Sequence, residues 1–402
     1  MKRLWLTNSL FQNDALPVRR LLGILLLALS MAGAAAAQSS QAAARKAAAP
    51  KNAIPAAEFS RLVRLFSEEE GNFPSDNYIS NETAYLYVVD KLKELGVTGG
   101  AYIGVGPEQN FTYISKIHPE IAFIVDIRRE AIIQHLMYKA IFQMAPDPAH
   151  FLSLLFSKPL EAKEAQRRDA PIEEVLEYFT DRASPISVFA ENLSAIRKMI
   201  ETDFEFPLSQ HDVQLLEHVY TAFRQANLRI ATRWAGGGYG GGYYGGFPTL
   251  KDLILTTDLH GKLGNFLATK EDYDFVRNLH RKNRIIPVVG DFAGDKALAA
   301  VADYLKENSY TVSAYYTSNV EQYLFGDSVF PSFAENIKKL PINDQSVFIR
   351  GARVGWRSGR VPGNRMNTVL QKMTDFVKDF DAGLYTSYGS MVTSHIITAD
   401  EP

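Results

Sequence analysis

The sequence predicts an α/β fold: a mostly parallel sheet with a large helical insertion between its second and third strands. Three observations carry this. Short apolar runs, such as "IAFIVDI" (121–127) and "IIPVVGDF" (285–292), alternate with amphipathic helical segments, the order of βα units. Those runs are apolar at nearly every position, as strands covered on both faces are. Between 130 and about 233 every patterned stretch has helical spacing and no strand-like run intervenes.

The chain begins with basic residues (Lys2, Arg3, Arg19, Arg20), then "LLGILLLALSMAG" and "AAAAQ". A basic start, a short apolar core and an Ala-x-Ala exit describe a secretory signal peptide, with cleavage expected after Ala37. The apolar run is shorter than the ~20 residues of a membrane span. A start at Met31 and an uncleaved anchor are the other readings, and Asp14 in a long basic region is the unusual feature. Removing residues 1–37 leaves 39 basic against 44 acidic groups, a formal −5. Residues 38–56, Ala-rich with scattered Pro, read as a disordered linker. The full chain carries a formal −2, which gives no support for a nucleic-acid reader or a polybasic membrane binder. It has no Cys, which excludes disulfides, thiolate metal sites and a Cys nucleophile. Oligomeric state has no sequence signal.

"SNETAYLYVVDKLKELGV" (80–97) is expected to be helical, with Ser80 as a possible cap and Gly96 closing the end. "AYIGVG" (101–106) is a strand that breaks at Gly104 and Gly106, with a helix after Pro107; "IAFIVDI" is the next strand. The helical insertion spans 130–283 and contains the Gly/Tyr-rich loop 235–247, which is too rich in Gly to be helix or strand interior. That loop reads either as a surface excursion or as a substrate lid bearing Tyr239, Tyr243 and Tyr244. Then follow a strand at 285–292, a helix at 297–308, a strand at 311–324 running into a polar turn, a strand at 346–352 and a late helix at 367–380.

The Gly turn carries the chemistry. Gly104-Val105-Gly106-Pro107 lets the backbone turn sharply beside a helix N-terminus, where free N–H groups favour a bound ligand. The bland alternative is a tight connection. Asp126 ends the next strand, about 20 residues on, where a carboxylate accepts from ribose hydroxyls; it also fits as a cap for the following helix. Asp291 is a candidate ligand contact or a cap for the helix that follows Gly294. Asn319, Glu321 and Gln322 read as a solvated loop or a catalytic set. His211 and His218 lack a third ligand, and no Gly-x-Ser-x-Gly elbow occurs.

With these residues in order, the chain resembles the Rossmann-like, S-adenosylmethionine-dependent methyltransferases over roughly 70–130 and 285–352. The resemblance rests on Gly104 and Gly106, on Asp126, on Gly290-Asp291 and on Ser318-Asn319. It implies a Rossmann-like sheet, S-adenosylmethionine as cofactor, and methyl transfer to an unidentified acceptor. Gly104, Gly106, Asp126 and Asp291 would hold the cofactor, and Ser318 and Asn319 would face the acceptor. Two departures stand out. Tyr102 occupies the place of an acid two residues before the first Gly, and Glu108 replaces a further Gly; Glu108 is the candidate substitute carboxylate. "GVGPEQNFTYI", "VGDFAG" and "SNVEQYL" also resemble an uncharacterised bacterial family. The alternative function is an exported, non-enzymatic ligand-binding or envelope-associated protein on the same fold. A nicotinamide oxidoreductase ranks below both, because the Gly-x-Gly-x-x-Gly pattern lacks its third Gly.

Overall fold

In the computed structural model, the described residues are 52–165, 170–233, 247–352 and 366–398. The expected signal peptide, most of the expected linker (38–51) and all but Phe247 of the Gly/Tyr-rich stretch fall outside them. Helix α1 (Ala56–Phe66) precedes α2 (Val89–Glu94), β1 (Ala101–Gly104), α3 (Gln109–Ile117) and β2 (Ile121–Asp126). The helical stretch follows as α4 (Arg129–Met144), α5 (Pro148–Phe156), α6 (Ala162–Ala165), α7 (Ile172–Thr180), α8 (Ile186–Lys198), α9 (Gln210–Ala226), α10 (Leu250–Ile254) and α11 (Lys270–Arg281). The sheet resumes with β3 (Ile285–Val289), α12 (Ala297–Glu307), β4 (Val312–Ser318), α13 (Val320–Gly326), α14 (Phe330–Lys339) and β5 (Val347–Ala352). The last elements are β6 (Asn367–Lys372), α15 (Met373–Asp381) and α16 (Tyr388–Val392).

The strands form one sheet in the order β3-β2-β1-β4-β5-β6. All neighbours are parallel except β5 and β6, which run antiparallel. Every residue of β1, β2, β3 and β5 is buried, so helices cover both faces. Phe123 of β2 packs on Phe66 of α1 and Tyr304 of α12. Among the helices, Phe111 of α3 sits at the centre of an edge-on cluster with Tyr138, Phe142, Phe266 and His280, ring centroids 5.3–5.5 Å apart.

Four expectations need correction. The helix expected over 80–97 is confined to Val89–Glu94, because Ser80 and Glu82 are taken by long-range hydrogen bonds instead. Gly96 does close its end, with φ +68°. The late helix starts at Met373; its first six residues form β6, whose buried Thr368, Val369 and Leu370 pair with β5. The polar turn after β4 is short, with α13 starting at Val320. The linker's last residues are anchored: Ile54 N–H donates to the Lys282 carbonyl at 3.0 Å, and Asn283 Nδ2 donates to the Ile54 carbonyl at 2.7 Å. No described helix is long and apolar enough to cross a membrane.

Candidate functional site

Consecutive parallel strands end at one edge of the sheet, and β1 is where the chain order reverses, with β2 on one side and β4 on the other. In open α/β sheets that carboxyl edge is where ligands bind. A cavity of about 520 Å³ opens there, within the ordinary range for small-molecule sites. Gly106, Asp126, Asp291, Ser318 and Asn319 all line it; Gly104 and Glu108 do not.

The turn after β1 explains that division. Gly106 has φ +76°, and a Cβ placed on it would meet nothing within 4 Å, so its missing side chain leaves open space at the cavity wall. A Cβ on Gly104 would instead run into Asn110 Oδ1. Asn110 is the knot of this turn. Its Nδ2 faces the carbonyls of Val105, Gly106 and Pro107 at 2.7–3.1 Å, and its Oδ1 accepts from Tyr102 Oη at 2.9 Å. Gly104 is thus required for packing, and Tyr102, in the place of the expected acid, is part of the same knot. His135 Nε2 lies 2.9 Å from the Gly106 carbonyl, which can only accept, so Nε2 carries the proton. Burial pushes the His135 imidazole down to about 4, leaving it neutral.

Asp126 ends β2 and is held by Arg128. Arg128 donates through its backbone N–H (2.9 Å), Nε (3.1 Å) and Nη2 (3.0 Å), so both carboxylate oxygens are engaged. Arg128 Nη1 also donates to the Asp76 carbonyl. Both side chains are nearly buried, at 5% and 9% exposure. A carboxylate offers about four lone-pair sites, so with three in use Asp126 retains one for a ligand hydroxyl rather than the two a ribose pair needs. It also shapes the entry to α4, whose N-cap is Arg128 and not Asp126. Asp291 Oδ1 accepts from Ala293 N–H at 2.9 Å, and its own N–H donates to Glu68 Oε1 at 2.5 Å. The helix after it is capped at Lys296 without a side-chain bond, so Asp291 shapes the loop and not the helix end.

Behind the β4 end lies a buried carboxyl that sequence reasoning missed. Ser318 sits at a register shift with φ +53°, a left-handed conformation a serine seldom adopts, and its Oγ donates to Glu82 Oε1. Gln109 Nε2 donates to Tyr316 Oη at 3.1 Å and approaches Glu82 Oε2 at 3.5 Å, and Ser80 Oγ donates to Gln109 Oε1. Gly351 makes the room: a Cβ there would lie 2.6 Å from Glu82 Oε1. Burial raises the Glu82 carboxyl above its usual range, against the hydrogen bonds from Ser318, Tyr316 and Gln109. Glu108 is also buried. Its Oε1 accepts from Ser80 N–H at 3.2 Å, its Oε2 has no partner among the described residues, and burial pushes it up to about 7. Glu82 has no sequence signal beyond being a lone carboxylate beside polar residues, whereas Glu108 stands out at the Gly turn but lies outside the cavity lining.

Glu321 is no solvated loop residue. It is fully buried, accepting from Arg350 Nε at 2.8 Å and Thr317 Oγ1 at 2.9 Å. Asn319 is the N-cap position of α13 without a side-chain bond to the helix, and Gln322 is exposed at the cavity. The segment before α2 closes one side of the site through Phe73, Asn77, Ser80 and Asn81.

Residues 78–400 match a protein family described as Domain of unknown function (DUF7790). The chain belongs to that family. The DUF7790 match takes in the whole sheet, the Gly turn and the β4 end, while α1, Phe73 and Asn77 lie upstream of it. No curated protein matches the chain.

Proposed function

We propose that the cavity binds S-adenosylmethionine and that the chain is a methyltransferase on a Rossmann-like sheet. The observation that carries this is the convergence of Gly106, Asp126, Asp291, Ser318 and Asn319 on one cavity at the reversal of strand order. Charge separates the cofactor classes. The described lining holds Asp126, Asp291 and Asp327 against Arg128, a formal −2. An acidic wall suits a sulfonium cation and opposes the pyrophosphate of a dinucleotide. The aromatic rings of Phe292, Tyr316 and Tyr323 add favourable faces for a cation.

When bound, S-adenosylmethionine supplies an electrophilic methyl group on sulfur. The chain's own part is to hold donor and acceptor in line and exclude water. The open space beside Gly106 admits the donor against the turn, and Asp291 and the remaining lone pair of Asp126 accept from its hydroxyl and amino groups. Ser318 Oγ takes a proton from the acceptor while passing its own to Glu82 Oε1, the carboxyl on which it already rests. No cation pairs with Glu82 among its described hydrogen-bond partners, so it is built to hold a proton.

Thermal-shift measurements on the full chain with S-adenosylmethionine, S-adenosylhomocysteine and NAD test this. Stabilisation by the two sulfur ligands, lost in Asp291→Ala, is the expected result. Stabilisation by NAD alone would replace the reading with a nicotinamide one.

A further inference from the structure

Two stretches of the chain are joined along a seam at the cavity: the segment before α2, and the turn from the end of β4 into α13. The inner joint is the hydrogen bond from Ser318 Oγ to Glu82 Oε1. The outer joint is the edge-on contact of Phe73 with Tyr323, ring centroids 5.3 Å apart. Each joint is flanked in the chain by one carboxamide from either side. Asn81 and Asn319 adjoin the inner joint, and Asn72 and Gln322 adjoin the outer one. All four line the cavity, Asn81 and Asn319 partly buried, Asn72 and Gln322 exposed. None of the four amide nitrogens donates to a described residue; their one side-chain contact is Asn319 Oδ1, 3.4 Å from Ser318 Oγ.

We infer that this seam is a subsite for a neutral, hydroxyl-rich molecule, namely a sugar. It rests on the proposed function only in being the acceptor's place; the subsite itself follows from the carboxamides. Three features give the class. A carboxamide carries donors and an acceptor side by side, and a hydroxyl both donates and accepts, so two neighbouring hydroxyls can close two hydrogen bonds on one Asn. Ser80 and Ser318 already commit their hydroxyl protons to Gln109 and Glu82, which leaves the amide N–H groups to meet a ligand's oxygens. Arg128, the cation of the described lining, is bound to Asp126, and Asp291 and Asp327 share that lining, so an anionic ligand is opposed.

Saturation-transfer NMR titration of the full chain with the methyl glycosides of glucose, galactose and mannose, and of the matching uronic acids, tests the inference. It is run with and without saturating S-adenosylhomocysteine. The expected result is saturable binding of at least one neutral glycoside and at least tenfold weaker binding of its uronate. Asn81→Ala and Asn319→Ala should each lower the affinity for that glycoside at least tenfold. Neither amide nitrogen is spent on a described contact, so both variants should fold. Ribose offers the same diol chemistry, and the competition arm separates the two sources. S-Adenosylhomocysteine should leave the glycoside bound, and its own affinity should be unchanged by Asn81→Ala. No saturable glycoside binding, binding indifferent to both variants, preference for the uronates, or displacement by S-adenosylhomocysteine would each overturn the subsite. Asparagine-dependent glycoside binding by a chain that ignores S-adenosylhomocysteine would uphold the sugar subsite and remove the methyl donor.

Discussion

Helix α4 carries two buried cations under opposite regimes. Arg128, at its N-cap, faces the cavity and is locked to Asp126 by three donated hydrogen bonds. Lys139, further along the helix, lies among apolar neighbours, its ammonium 4.7 and 4.6 Å from the ring centroids of Phe59 and Phe204. Among the described residues Lys139 donates only to the His280 carbonyl and to Asn283 Oδ1, with no carboxylate. Burial pulls Lys139 down to about 7, whereas at Arg128 the Asp126 charge and hydrogen bonds outweigh the burial that opposes them. Depth alone does not decide whether a buried base keeps its charge; the partner does. The cavity edge therefore keeps a fixed ion pair, while the helical layer holds a base that titrates near neutrality.

The largest expected effect comes from breaking the pair. Asp126→Ala strands the Arg128 guanidinium and should cost about 3–5 kcal/mol in urea denaturation. Replacing both partners together, Asp126→Leu with Arg128→Met, should cost much less, because no unpaired charge remains. A double variant as damaged as the single one would mean that shape, and not charge, is at stake.

Next comes Lys139. Its folded pKa of about 7 lies below its usual 10.5, so over that interval the unfolded chain binds the extra proton. Stability from this group is full above pH 10.5 and is lost as pH falls to 7. Lys139→Met should remove about 3 kcal/mol of pH dependence between pH 7 and 10. Parallel stability curves for the variant and the parent chain would contradict the depressed value.

Glu108, beside the Gly turn, sharpens the contrast, being a buried acid with one oxygen unpaired among the described residues. Its folded pKa of about 7 exceeds the usual 4.5, so the folded chain holds the proton longer. The stability it gives is full below pH 4.5 and is lost as pH rises to 7. Glu108→Gln should flatten that fall by about 2 kcal/mol between pH 5 and 7. The smallest effect is expected from Ser318→Ala, which removes one hydrogen bond to Glu82 and should cost about 1 kcal/mol in the same assay.

Much of this arrangement was legible in the sequence, for a physical reason. Strands buried on both faces are mostly apolar, so β1 to β5 stood out, and residues at or just past the ends of β1 to β4 meet at the cavity. What was not legible depends on contacts far apart in the chain. Ser80 and Glu82 carry a helical pattern, but their side chains bond to Gln109 and Ser318, and the helix starts only at Val89. "NTVLQK" continues a helical period, yet β5 offered it an open edge, and pairing overrode the period. Gly104 and Gly106 look equivalent in the sequence; only the position of Asn110 separates a packing glycine from one beside the cavity. The Arg128 pairing with Asp126 was within reach, since the two are near neighbours at a strand end, but nothing local shows that the arginine turns back.

The most direct measurement is calorimetric titration of S-adenosylmethionine into the full chain, with Asp291→Ala and NAD as comparisons. We expect saturable micromolar binding of S-adenosylmethionine, weakened at least tenfold in Asp291→Ala, and no heat with NAD. Absence of S-adenosylmethionine binding, or binding indifferent to Asp291, would contradict the assignment of the strand-edge cavity to this cofactor.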